Sequence, residues 1–333
     1  MAEVLLTHSY HLHYDPKQVR KMQPYPPLGT LYAAAVLRSH GISAAVFDTM
    51  LQDPSQLFPK SLRTHDPAIV VIYEDDFNFL SKMCLTRMRQ VALEMIAHCV
   101  GRGVRVVVHG SDASDHALVY LQAGAAYVLH GEAEFRLQEL VSAMLLHQSV
   151  SLDGVTWLDA DGRLVHRPAG GETVAWNRMP TAARDLVDLQ PYADAWRAAH
   201  GYFSLNMVAS RGCPYRCNWC AKPISGDRFH VRPAKYVAEE LAELHTRYGA
   251  EHVWFGDDVF ALDHRWMEEF AAEMEKTGVR VPFKVQSRAD LMTPNTVECL
   301  RRAGCAEVWM GVESGSQKIL DAMEKGLKLS SVL

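Results

Sequence analysis

The stretch Arg211-Gly212-Cys213-Pro214-Tyr215-Arg216-Cys217-Asn218-Trp219-Cys220 decides how this chain is read. Its spacing, Cys-x3-Cys-x2-Cys, gathers three thiols on one short loop, and thiolates are the soft ligands that iron–sulfur clusters use. Three cysteines around a cubane of about four irons leave one iron without a protein ligand. An open position is where a metal site binds and transforms a small molecule, as at a catalytic zinc. Electron transfer alone would use a closed, four-cysteine site. The competing reading is structural zinc, with His230 completing a Cys3His set at a spacing unlike the usual zinc modules.

Outward from the loop, apolar runs alternate with amphipathic helical patterns. Residues 204–209 enter the loop as a buried strand, 252–255, 281–286 and 307–311 are three more strands, and 233–244, 265–276 and 295–303 carry helical periodicity. This order predicts parallel βα units. Polar residues follow the strands: Asp257 and Asp258, then Ser287 and Arg288, then Glu313 and Ser314. In a βα barrel that rim is where a site is built, whereas any one of these acids in isolation reads as a solvated loop carboxylate.

With an aromatic residue, Trp219, directly before its last cysteine, the loop resembles the signature of the radical S-adenosylmethionine (radical SAM) enzymes. The resemblance implies that Cys213, Cys217 and Cys220 hold a 4Fe-4S cluster whose open iron binds S-adenosylmethionine. Reductive cleavage would then release a 5'-deoxyadenosyl radical. It further implies that Gly256-Asp257-Asp258 is the second-strand motif for the methionine amino group. Here it stands where many members have Gly-Gly-Glu, which leaves open which aspartate acts. Ser287 and Arg288 match the region reaching the ribose and carboxylate, and Glu313 and Ser314 lie in the fourth-strand motif near the ribose. Trp219 would lie beside the cluster.

The first half is a separate unit. Short apolar runs at 4–6, 44–47, 68–72, 104–108 and 126–129 alternate with helices at 28–39, 81–100, 113–122 and 135–147. Five strands alternating with helices predict a doubly wound, flavodoxin-like parallel sheet with ligands beyond the carboxyl ends of its strands. No Gly-x-Gly-x-x-Gly follows the first strand, which argues against a dinucleotide. Pro24-Tyr25-Pro26-Pro27-Leu28-Gly29-Thr30 is a rigid loop opening a helix, an end suited to a phosphate or another polar group. That loop, with Glu74, the His109-Gly110-Ser111 turn and the Gly131-Glu132 turn, resembles the cobalamin-binding domain found ahead of many radical SAM domains. Pro27, Leu28, Gly29, Thr30, Glu74, His109, Gly110, Ser111, Gly131 and Glu132 are the contacts this resemblance implies. The Asp-x-His-x-x-Gly motif for a cobalt-ligating histidine is absent, so His8, His11 and His13 read as residues of a His-rich loop. Methylthiotransferases also join two such domains, but their first domain brings three further cluster cysteines. Here it has Cys84 and Cys99, both expected on one helix, which, like Cys299 and Cys305, suit packing.

The domain plan is therefore 1–150, a linker at 151–200 holding a β-hairpin around Asp159-Ala160-Asp161-Gly162, and a radical SAM domain at 201–333. Gly170-Gly171 and Pro180 punctuate a looser stretch of that linker. Only about four βα units are legible after residue 204, so the barrel reads as partial, with an exposed apolar edge. A formal net charge of -5 argues against a nucleic-acid surface, and neither a membrane span nor a secretory signal is present in the sequence. Seven cysteines of this kind suit a reducing cytoplasm and an oxygen-sensitive protein. The expectation is a cobalamin-dependent radical SAM enzyme that methylates, cyclises or rearranges a small-molecule or natural-product intermediate. Its electrons would come from a flavodoxin- or ferredoxin-like reductant. The alternatives are a corrinoid-binding module with a vestigial cluster site, or a methylthiotransferase.

Overall fold

The computed structural model describes residues 2–77, 84–170, 178–220 and 228–332. The expected helix start at 81–83 and Gly171 lie outside them. The chain divides into two compact units, Met1–Ala199 and His200–Leu333.

Unit one holds seven strands: β1 (Val4–Thr7), β2 (Ala44–Phe47), β3 (Ile69–Tyr73), β4 (Arg105–His109), β5 (Tyr127–Leu129), β6 (Val155–Leu158) and β7 (Leu164–Arg167). Its helices are α1 (Pro16–Lys21), α2 (Leu28–Ser39), α3 (Pro54–His65), α4 (Leu85–Val100), α5 (Ser111–Asp115), α6 (Ala117–Gln122) and α7 (Glu134–Leu145), with α8 (Gln190–His200) at the boundary. The sheet order is β2-β1-β3-β4-β5-β6-β7, parallel through β5. The first five strands thus have the flavodoxin order, with its topological switch between β1 and β3. Successive strand residues alternate between two apolar layers. Val4 and Leu6 face α2 and α7 with Leu37, Leu137 and Val141, whereas Leu5 faces α3 and α4 with Phe58, Leu62 and Ile96.

Three expectations need correction, and one helix is additional. The hairpin does not stand apart in a linker: β6 pairs antiparallel with β5, so the hairpin is an edge of this sheet. The helix expected over 113–122 is two helices broken at His116, with Asp112 in the first anchored by Arg89 and by the Tyr120 hydroxyl at 2.7 Å. Cys84 stands at the residue before α4 rather than inside it, donating its thiol to Asp15 at 3.5 Å. Helix α3 was not anticipated, although Asp53 caps it through Ser55 N–H and Pro54 opens it.

Unit two contains β8 (Ser204–Met207), β9 (Ser210–Arg211), β10 (His230–Val231), β11 (His252–Phe255), β12 (Phe283–Ser287) and β13 (Cys305–Met310). Its helices are α9 (Ala234–Thr246), α10 (His264–Thr277), α11 (Pro294–Ala303) and α12 (Gln317–Ala322). Strands β13-β12-β11-β8 form a parallel sheet in that order, and β9 and β10 make a small antiparallel pair beside the cysteine loop. Helix α10 is punctuated by an Asp263 cap and a left-handed Gly278, and α11 by Thr293, Pro294 and Gly304. Trp309 and Met310 on β13 are exposed, in keeping with an edge position among the described residues. No described helix is long and apolar enough to cross a membrane.

Behind the sheet, Phe255, Phe260, Trp266, Phe270 and Phe283 form one aromatic cluster, with Trp266 stacked on Phe270 at 5.1 Å. Phe270→Ala empties its centre and is expected to cost about 3–5 kcal/mol. Urea denaturation checks this; a loss below about 1 kcal/mol would show that the cluster does not hold this unit together.

Candidate functional site

The cysteine loop leaves the carboxyl end of β8 through a turn fixed by one buried carboxylate. Asp257, just past β11, accepts from Ala209 N–H at 3.1 Å, from Ser210 N–H at 2.5 Å and from the Ser210 hydroxyl at 2.5 Å. Burial pushes its carboxyl up to about 7, against the pull of those hydrogen bonds. Asp258, its neighbour, is exposed. The two aspartates left equivalent by the sequence are therefore different in kind: one fastens backbone, and the other faces outward at the rim.

All seven cysteines are thiols rather than disulfides. Cys213 and Cys217 are partly buried and Cys220 is exposed. Among the described residues no three His, Cys, Asp or Glu side chains are drawn to a common metal-holding centre. What the loop offers is a soft donor set on backbone held from both sides. On one side the Arg288 guanidinium lies 3.7 Å over the Tyr215 ring and is locked by Asp290 through two 3.0 Å bonds. On the other, Asn218 is bonded to residues 322 and 323, and Trp219 faces Lys325. The donor chemistry and partial exposure fit an iron–sulfur cluster.

The remaining rim residues lie at the carboxyl ends of adjacent strands. Gly256 N–H donates to Met207 O at 2.8 Å, Ser287 donates its hydroxyl to Phe260 O at 2.7 Å, and Ser314 Oγ accepts from Ser316 N–H. Glu313 sits at φ +69° and accepts from Lys325 at 3.0 Å. Lys325 belongs to none of the motifs read from the sequence. A buried lysine many residues past the last strand gives no local signal.

In unit one the switch point collects most of the residues expected there. Glu74 takes Ser9 N–H at 3.2 Å and the Ser9 hydroxyl at 2.6 Å, and its own N–H donates to His109 O. Burial raises its carboxyl to about 7. Gly110, at φ +146°, passes so close that a Cβ would lie 2.8 Å from Glu74 Cγ, and one on Gly29 would lie 3.3 Å from Glu74 O. His109 stacks on Tyr73 at 3.9 Å and its Nε2 faces Gly131 O at 2.9 Å. Ser111 is buried at the start of α5, and Glu132 O accepts from Arg136. The start of α2 is not open to a phosphate, as the sequence suggested. Pro27 precedes it, Asp75 accepts from the Gly29 N–H at 2.9 Å and from Leu28 N–H, and Thr30 donates to Tyr73 O. Of the histidines read as a His-rich loop, His13 is exposed. His8 and His11 are buried, His8 Nε2 facing Asp48 at 2.9 Å and His11 Nδ1 facing Thr49 O at 2.9 Å. Tyr192 donates to the same Asp48 at 2.6 Å, which commits His8 to a packed network.

Asp257 gives this site a pH dependence. Its native pKa, near 7, lies above the 3.8 of a free aspartate, so the native state retains a proton that the unfolded chain releases. The associated stability is full below about pH 4 and is lost as pH rises towards 7. Asp257→Asn is expected to lower stability overall yet shrink the fall in urea midpoint between pH 5 and pH 8; an unchanged slope would remove this assignment.

Residues 207–333 match the family model described as the Radical SAM superfamily. The chain is 25% identical over 309 residues to the uncharacterized methyltransferase PH0819 of Pyrococcus horikoshii, covering 91% of this chain and 64% of that protein. Its fold is similar to the cobalamin-dependent S-adenosylmethionine radical enzyme OxsB, solved with aqua-cobalamin and S-adenosylmethionine. That match has a TM-score of 0.80 at 19% identity, covering 100% of this chain and 46% of that one. It is also similar to the radical S-adenosylmethionine methyltransferase TsrM of Kitasatospora setae, solved with cobalamin and a [4Fe-4S] cluster. The TM-score there is 0.73 at 18% identity, covering 98% of this chain and 62% of that one. The chain thus spans less than two thirds of the length of each. Together with the cysteine loop at the rim of its parallel sheet, the match identifies residues 207–333 as a radical SAM superfamily domain.

Proposed function

We propose that this chain is a cobalamin-dependent radical SAM enzyme that transfers a methyl group to, or cyclises or rearranges, a small-molecule substrate. The observation that carries the reading is the three-thiol loop standing at the carboxyl ends of parallel strands, with Asp258, Arg288 and Glu313 on the same rim. The likeness to PH0819 supports the methyl-transfer form, and the flavodoxin-order switch point of unit one supports the corrinoid.

When bound, a 4Fe-4S cluster with an open iron supplies reductive cleavage of S-adenosylmethionine, and cobalamin supplies a methyl group. Cys213, Cys217 and Cys220 hold the cluster. Asp258, exposed and adjacent to the anchored Asp257, receives the ligand's amino group. Arg288, held flat against Tyr215 by Asp290, presents a fixed positive charge to a carboxylate, and Glu313 accepts from ribose hydroxyls. In unit one the crevice beyond the carboxyl ends of β1 and β3 takes the corrinoid, with the partly exposed Glu74 at its edge. A flavodoxin- or ferredoxin-like protein delivers the electrons.

Anaerobic reconstitution is expected to give a brown protein with about four irons per chain. S-Adenosylmethionine should change its spectrum, reductant should release 5'-deoxyadenosine, and aqua-cobalamin should bind. Replacing the three cysteines by alanine should abolish the iron and the cleavage but leave cobalamin bound to unit one. Colourless zinc uptake, or a cluster indifferent to S-adenosylmethionine, would overturn the reading.

A further inference from the structure

Lys325 is a buried cation that none of the sequence motifs explains. It is 6% exposed, and a lysine is almost never so deeply buried unless paired. Its Nζ donates to Glu313 Oε1 at 3.0 Å and stands 5.7 Å from the centre of the Trp219 ring. It also packs against Gly311, where a Cβ would lie 3.1 Å from Nζ and 2.8 Å from Glu313 Oε1. The same turn reaches the cysteine loop through its backbone: Asn218 N–H donates to Met323 O at 3.1 Å, and Asn218 Nδ2 donates to Ala322 O at 2.8 Å. Two hydrogen bonds and an ammonium–indole contact therefore fasten the half-loop between Cys217 and Cys220 to residues 322–325. Through its ammonium, the turn also holds Glu313 in a left-handed conformation that a glutamate does not adopt without support.

We propose that the turn 322–325 is a latch that sets the distance between the cysteine loop and the Glu313 carboxylate, with Lys325 and Asn218 as positioning residues. Its consequence for ligand binding rests on the function proposed above. Loop and carboxylate then grip opposite parts of one S-adenosylmethionine, and a latch that slips loosens the ligand without removing a cluster thiol. Gly311 follows from the same arrangement, since any side chain there would meet both members of the ion pair.

The test uses the full chain purified anaerobically, in Lys325→Met, Lys325→Arg and Asn218→Ala forms. In cluster-free protein, hydrogen exchange of the peptide containing Asn218 and Trp219 is expected to accelerate about tenfold in Lys325→Met and Asn218→Ala, and to return to within about twofold of the parent in Lys325→Arg. After reconstitution, Lys325→Met should keep the parent's iron content while its S-adenosylmethionine Kd, read from the cluster spectrum, weakens about tenfold. Parental exchange rates in both Lys325→Met and Asn218→Ala would overturn the latch. If Lys325→Met does not fold, Asn218→Ala carries the same two readings. A parent that takes up no cluster would sink the proposed function, while the exchange data would still judge the latch.

Discussion

The second unit depends on a carboxylate that is buried in order to hold backbone. Asp257 receives two amides and a hydroxyl from Ala209 and Ser210, and so converts the end of β8 into the start of the cysteine loop. A buried anion is costly unless hydrogen-bonded, and its proton affinity rises accordingly. The exchange is favourable because the turn it organises would otherwise leave its own amides unsatisfied. From that point the loop's geometry is inherited: Gly212 takes φ +75°, Tyr215 is pressed under Arg288, and Asn218 is drawn onto the turn after α12.

Unit one solves a related problem at its switch point. Parallel strands end together, which concentrates backbone carbonyls and the loops that follow them in one crevice. Asp75 satisfies the first turn of α2, Glu74 satisfies Ser9, and the Asp48–His8 pair is closed by Tyr192. Two glycines, Gly29 and Gly110, let the loops pack directly against Glu74. The result is a polar floor whose groups are already paired, which suits a ligand that brings its own charge balance rather than a bare phosphate.

Most of the strands were legible because each is a short apolar run bounded by turn residues, and parallel packing on both faces enforces that composition. The boundaries of β3, β4 and β12 moved by a residue or two, as expected where apolar runs continue past the last ladder bond. Helix α3 escaped because Pro59 interrupts its pattern, although Phe58 and Leu62 carry its buried face. The hairpin was visible from Asp159-Ala160-Asp161-Gly162, yet which sheet it joins depends on β5 having an open edge, a property of a distant segment. The cysteine loop was legible in full because a cluster's ligands can be adjacent in sequence.

The sequence by itself determined the chemistry on offer: a three-thiol loop, a rim of acids after successive strands, and two α/β units. Those are local facts, set by spacing and periodicity. Only the tertiary structure decided which of Asp257 and Asp258 is spent on backbone, that His8 and His11 are packed rather than solvated, and that Lys325 meets Glu313 and Trp219. Such assignments follow from burial and from partners dozens of residues apart, and neither quantity is encoded in any single stretch of chain.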